Sequence, residues 1–300
     1  MLDIYKSFYN FNEQPFRLSP DYRFCYNHPS YTNAKSYLKY AISEGEGFVA
    51  ITGEPGTGKT TLITSLLSEL DNVRVQIATL TNVQIDEVNL LHSVLEEFQL
   101  PLNNQNQAGP ISILKQFLIQ QSKKGRRCIL IVDEAQGLTN SSLEELRLIS
   151  NLQHNNRLLL QVFLVGQESL MDIIRAPGLE QLHQRLIAAS HLESLAQSET
   201  RAYIEHRLYK AGWKNDPTFA IEAMNIIYKF SGGIPRRINL ICHRLFLYGG
   251  LTRKHELSGA DAMHVIVELH REGLLMPKID MHPDEYMDSE NPYAISNNNS

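Results

Sequence analysis

Residues 53–60 read Gly-Glu-Pro-Gly-Thr-Gly-Lys-Thr, a complete G-x-x-x-x-G-K-[ST] pattern of the kind that wraps a phosphate. The residue types each have a reason. Glycines let the backbone bend until successive N–H groups converge on an anion. A helix that begins where the loop ends adds its positive N-terminal end. Lys59 is placed to reach the β- and γ-phosphates, and the Thr60 hydroxyl to ligate Mg²⁺. The flanks agree with this reading. Phe48-Val49-Ala50-Ile51-Thr52 is an apolar run of strand character, and Leu62, Ile63, Leu66, Leu67 and Leu70 share one helical face. The predicted binding set is Gly53, Glu54, Pro55, Gly56, Thr57, Gly58, Lys59, Thr60 and Thr61.

Further along, Ile129-Leu130-Ile131-Val132 runs into Asp133-Glu134. Phosphoryl transfer needs mainly positioning and charge stabilisation. One carboxylate for the metal (Asp133) and one to polarise water (Glu134) is sufficient equipment. The apolar run Leu158–Val165 ends in Gly166-Gln167, where Gln167 could orient water or touch the γ-phosphate. Arg185 is read late in a helix, as a surface charge or as a cation reaching a neighbouring subunit's nucleotide. Arg236 opens a helix after Gly232-Gly233-Ile234-Pro235. A cation at a helix N-terminus is electrostatically unfavourable, which favours a functional role over the phosphates. The basic run Lys123-Lys124-Gly125-Arg126-Arg127 reads as a solvated loop or a contact for nucleic acid or lipid. His255-Glu256 begins the zinc pattern H-E-x-x-H, but position 259 is glycine and the pattern fails.

These residues need a scaffold. Strands expected at Phe48–Thr52, at Val73, Val75 and Ile77, at Cys128–Val132 and at Leu158–Val165 alternate with helices. Such alternation, beginning at a phosphate loop, predicts an α/β fold: a parallel sheet sandwiched by helices. After residue 197 helices are predicted at Glu199–Ala211, Pro217–Phe230, Pro235–Tyr248 and Gly259–Glu272 with no strand between them. The domains expected are therefore an arm and first helix (1–44), a nucleotide-binding domain (45–197), a small all-helical lid (198–275) and a disordered polar tail (276–300). The arm holds 11 of the chain's 24 Phe and Tyr residues and reads as irregular. Its aromatics read as packing against the body, and part of it could also wall the base pocket; the two are compatible.

Composition narrows the setting. In 300 residues, 43% are hydrophobic and 20% charged, and the net charge is −5. That is ordinary for a globular protein and gives no global pull toward nucleic acid or anionic membrane. The three cysteines are far apart, which suggests neither a disulfide framework nor a thiolate metal site. No stretch reads as a membrane span and the first residues do not read as an export signal. The expectation is a cytoplasmic protein.

Together the motifs resemble the AAA+ ATPases, P-loop NTPases, and more narrowly the ExeA/GspA type that serves bacterial secretion and surface-structure assembly. The resemblance spans roughly residues 5–272. It is carried by Pro15-Phe16, Pro20-Asp21, Gly45-Glu46-Gly47-Phe48, the phosphate loop, Asp133-Glu134-Ala135-Gln136, Leu164-Val165-Gly166-Gln167 and Gly232-Gly233-Ile234-Pro235-Arg236-Arg237-Ile238-Asn239. The run Thr200–Leu208 with Gly212-Trp213 is most similar to secretion ATPases found with exosortase/PEP-CTERM and exopolysaccharide loci. The resemblance implies ATP and Mg²⁺ as cofactors. It implies phosphate and metal roles for Lys59, Thr60 and Asp133, and water activation by Glu134. Gln167 would be sensor 1, Arg185 an arginine finger and Arg236 sensor 2. A nucleotide-promoted homo-oligomer and an envelope or membrane protein partner, through which the chain could sit at the inner membrane, follow from it. The membrane segment and wall-binding domain that follow the ATPase half of that family have no counterpart here, which sets the expectation of a soluble accessory role. The alternatives are a DNA-binding regulator of transposition and a slow nucleotide-gated scaffold.

Overall fold

The computed structural model describes residues 4–19, 21–69, 75–81, 87–101 and 109–275. The chain forms two compact units. Among the described residues, those of Pro29–Glu193 make one, and those before Pro29 and after Glu193 make the other. Parts of the expected second strand and following helix, the loop between Pro101 and Pro110, and the polar tail lie outside the described residues.

The first unit is a parallel sheet covered by helices. Its strands are β1 (Phe48–Thr52), β2 (Val75–Leu80), β3 (Arg127–Val132), β6 (Leu160–Gly166) and β7 (Leu186–His191), in the order β2-β3-β6-β1-β7. A small antiparallel hairpin, β4 (Gln153–His154) with β5 (Arg157–Leu158), precedes β6. All four pairings of the main sheet are parallel, with Phe48 opposite Val162 and Thr52 opposite Gly166. Every residue of β1 and β6 is buried, as both faces carry helices. Phe48, Leu130, Val132, Val162 and Leu164 form the core with Leu90, Leu95, Leu114, Leu118 and Leu146 from the helices.

Parallel order brings all C-terminal strand ends to one edge. There β1, β6 and β3 lie side by side, and the groups that follow them converge. Two expectations are corrected here. Leu158 belongs to the hairpin, so the long apolar run is split. The segment around Arg185 is not a continuous helix: a four-residue helix, Glu180–His183, ends before Arg185, and β7 follows.

The second unit holds helices Gln197–Lys210, Ile221–Ser231, Pro235–Thr252 and Gly259–Arg271 around Tyr203, Ile227, Phe230, Ile241, Leu245 and Phe246. Ser258 and Asp261 close a reciprocal capping box on the last of them. A two-residue parallel pair, β8 (Thr218–Phe219) with β9 (Glu256–Leu257), corrects the expectation that no strand separates these helices.

The aromatic arm is corrected in the same way. It contains a helix at Ile4–Phe8 and a 3₁₀ turn at Tyr22–Phe24. Its Tyr5, Tyr9, Phe11, Phe16 and Phe24 are part of the second unit's core. The buried Arg207 guanidinium fastens it, donating to the Pro15 carbonyl at 2.6 Å and to the Tyr203 hydroxyl at 3.0 Å while lying over the Phe24 ring. Among the described residues no helix is long and apolar enough to cross a membrane.

Candidate functional site

β1 delivers the chain at Thr52 into the loop Gly53–Gly58, and the helix Lys59–Ser68 takes it away. The loop requires glycine most clearly at its start. Gly53 has φ +153°, and a Cβ there would come within 2.5 Å of the Leu192 carbonyl oxygen. Within the loop, Thr57 is buried and its hydroxyl donates to the Glu54 carbonyl at 2.9 Å. Thr61 lies in the helix's first turn, half-buried.

Lys59 is buried, and its Nζ donates to the carbonyls of Gly53 at 2.8 Å and Glu54 at 3.0 Å. Burial pulls its pKa below that of an ordinary lysine, and the Glu134 and Asp133 carboxylates oppose that pull. Both carboxylates therefore act on the ammonium at the mouth of the loop.

The Thr60 hydroxyl donates to Asp133 Oδ2 at 3.3 Å. This pair joins the end of β3 to the helix that follows β1, although β6 runs between the two strands. The Asp133 N–H is fixed on the Leu80 carbonyl at 2.9 Å, and Asp133 Oδ1 accepts from the Glu134 N–H at 3.0 Å. Glu134 itself takes a left-handed conformation, φ +53°, uncommon for a side chain without glycine's freedom. The turn ends the strand abruptly and leaves the Glu134 side chain exposed.

Gln136, two residues beyond Glu134, links the two strand ends, one bearing carboxylates and the other polar. Its Nε2 donates to Glu134 Oε2 at 2.6 Å, and its Oε1 accepts from the Gln167 N–H at 3.0 Å. One amide thus ties the carboxylate after β3 to the backbone after β6. Gly166 leaves room for it, since a Cβ at 166 would collide with Gln136 Oε1. A glutamine two positions beyond a carboxylate has no spacing signature. Only the pairing of the two strands makes the contact visible.

The structure brings Gly53–Thr61, Asp133, Glu134 and Gln167 to one edge of one unit. Arg185 lies at the opposite edge. Its carbonyl accepts from the Phe48 N–H at 2.9 Å, at the start of β1, five strand residues before the loop. At about 3.3 Å per residue that is roughly 16 Å from the chain's own phosphate loop. Arg236 is exposed in the first turn of the helix Pro235–Thr252 of the other unit. In the basic run, Arg127 is committed to the backbone: its guanidinium donates to the carbonyls of Ile42 and Ser43, the last turn of the helix Pro29–Glu44.

The donor set suits Mg²⁺. A hydroxyl and a carboxylate supply hard oxygens, and this ion takes few protein ligands when phosphate oxygens and water complete its shell. Among the described residues no group of three or more His, Cys, Asp and Glu is assembled to hold a metal.

Residues 42–174 match the AAA domain family. The fold is a P-loop AAA fold. The chain is 38% identical over 261 residues to general secretion pathway protein A of Aeromonas hydrophila, covering 86% of this chain and 47% of that protein. It therefore spans about half the length of that relative. Among solved structures it is similar to the Aeropyrum pernix ORC2 protein with ADPNP and ADP: TM-score 0.62, 16% identity, 88% of this chain and 73% of that one. Cdc6p of Pyrobaculum aerophilum gives TM-score 0.66 at 12% identity over 86% and 71% of the two chains. A single-site mutant of RuvB from Thermotoga maritima gives 0.58 at 17% identity over 89% and 76%. At these identities the likeness is one of fold. It agrees with the parallel sheet and the helical region after it.

Proposed function

We propose that this chain is an ATP-hydrolysing AAA+ protein that assists assembly or operation of a bacterial envelope secretion or exopolysaccharide export system. The observation that carries the enzymatic half is the wiring of the sheet edge: Thr60 to Asp133, and Glu134 through Gln136 to the Gln167 backbone. The secretion half rests on the likeness to general secretion pathway protein A. The exopolysaccharide branch and the inner-membrane setting rest on the sequence resemblance alone.

ATP would lie on the Gly53–Thr61 loop, with Thr60 and Asp133 holding Mg²⁺, which when bound neutralises charge on the triphosphate. Lys59 supplies a cation beside the same oxygens. Glu134 polarises the attacking water and accepts its proton. Gln136 keeps the Glu134 carboxylate aimed, and Gln167 contributes a polar side chain from the neighbouring strand end. Arg236 would add a cation from the helical unit. Arg185, remote from its own loop, would act on the nucleotide of a neighbouring copy, which makes the working form an oligomer.

The test is steady-state phosphate release beside ATP binding. Glu134→Gln should bind Mg-ATP and lose turnover by about 10²–10⁴-fold, the usual worth of a positioned base. Equal, negligible rates in both proteins would instead favour the nucleotide-gated scaffold. The transposition-regulator reading predicts salt-dependent DNA binding through Lys123, Lys124 and Arg126. Arg127, bonded to helix carbonyls, is less available for it.

A further inference from the structure

At the C-terminal end of β1, a run of side-chain contacts that the nucleotide-binding motifs do not include reaches from the strand on one side of it to the segment after the strand on the other. Thr52, the last residue of β1, is 4% exposed, and its hydroxyl makes a 3.1 Å hydrogen bond with His191 Nδ1. The other ring nitrogen, Nε2, lies 3.5 Å from Glu168 Oε1. His191 ends β7, and Glu168 directly follows Gln167. Since β1 lies between β6 and β7, imidazole and carboxylate together span the strand that feeds the loop.

The backbone repeats the link. The Leu192 N–H donates to the Thr52 carbonyl at 2.8 Å, and the Leu192 carbonyl is the group that closes on Gly53. Ser30 extends it. Its hydroxyl donates to the His191 carbonyl at 3.4 Å and accepts from the Glu193 N–H at 3.3 Å. The chain passes between its two units after His28 and after Glu193. Ser30 and His191–Glu193 are thus the places where both passages are anchored in the nucleotide-binding unit, and they are bonded to each other.

We propose that His191 is a positioning residue for ATP turnover. Its ring holds the start of the phosphate loop and the Gln167–Glu168 segment in one register and ties both to the anchors of the inter-unit passages. This rests on the ATPase reading above. The ring hydrogen-bonds to Thr52 and lies 3.5 Å from the exposed Glu168 carboxylate, whereas the groups assigned to phosphate and metal are Lys59, Thr60 and Asp133. Its removal leaves the buried Thr52 hydroxyl without a partner and releases Glu168, which alters alignment more than affinity. Small misplacements of this kind are felt in the rate of the chemical step.

The experiment uses the whole chain with Mg-ATP and measures kcat, KM and, by calorimetry, ATP affinity. His191→Ala should lower kcat by roughly 10- to 100-fold, with ATP affinity within about threefold of the unsubstituted protein. That is the pattern of an interaction needed only at the transition state. His191→Asn keeps an amide near the Nδ1 position and should regain part of the loss through Thr52. Glu168→Ala should fall between the two. Unchanged kcat in His191→Ala would overturn the proposal, as would equal losses of kcat and affinity that His191→Asn does not relieve. No turnover by the unsubstituted chain would overturn the ATPase reading first, and is seen before any variant is compared.

Discussion

Gln136 uses both ends of one amide, donating to a carboxylate and accepting from a backbone N–H. Hydrogen bonds to charged groups are worth about 1.5–3 kcal/mol and less where solvent reaches them, as it does here, so this bond biases the Glu134 rotamer without locking it. Gln136→Ala should therefore lower turnover by roughly 10-fold or more while ATP affinity stays within about threefold. Paired kinetics and calorimetry check this, and an unchanged kcat would remove Gln136 from the site. Gly166→Ala should mimic it, because the new methyl group would occupy the place of Gln136 Oε1. If Gly166→Ala impairs turnover but Gln136→Ala does not, the effect belongs to the strand and not to the amide. At this scale the sequence was legible where chemistry demands a residue type at a fixed spacing, as in Gly53–Thr60 and Asp133-Glu134. Gln136, His191 and Glu168 were given no role, because what unites them is strand neighbourhood and not spacing.

Among the elements, the buried parallel strands were readable because burial on both faces imposes unbroken apolar runs. β7 was not readable. Leu186-Ile187-Ala188-Ala189-Ser190-His191 lies at the sheet's edge with exposure alternating along it. It continues a stretch of leucines and glutamines that reads as helix. The arm was misread for a related reason: its aromatics serve a core built from residues about 200 positions away, such as Arg207 and Phe246. The buried Arg207 makes this attachment testable. Arg207→Met would leave the Pro15 carbonyl without this donor, at about 1–3 kcal/mol, while the Tyr203 hydroxyl keeps its bond to Asn239 Oδ1 at 2.9 Å. Urea unfolding followed through the single tryptophan, Trp213, which is in this unit and donates to the Pro217 carbonyl, should show a loss of about 2 kcal/mol. A loss of less than about 1 kcal/mol, the scale of an ordinary surface change, would mean that the arm is held by its aromatics alone.

The whole molecule consists of two units with separate cores, and the proposed action of Arg185 on a second copy is tested at this scale. Arg185 lies at the sheet edge away from its own loop, which suits a residue acting on a neighbour. Arg185→Ala should retain ATP binding and lose turnover by about 10³-fold or more, as cations supplied in trans do in related systems. Mixed with the Glu134→Gln protein it should recover part of the activity, because some junctions then combine an intact Glu134 with an intact Arg185. Two inactive proteins that stay inactive when mixed would argue against action between subunits. Light scattering of the Glu134→Gln protein with ATP should show assembly, and a strict monomer would argue the same way.

The central claim is that one strand edge binds Mg-ATP and cleaves it, and it is tested most directly by phosphate release from the whole chain. Activity is expected for the unsubstituted protein, together with loss of both binding and turnover in Lys59→Ala and loss of turnover alone in Glu134→Gln. Phosphate release that is absent in the folded protein at millimolar Mg-ATP, or that is unaffected by either substitution, would contradict it.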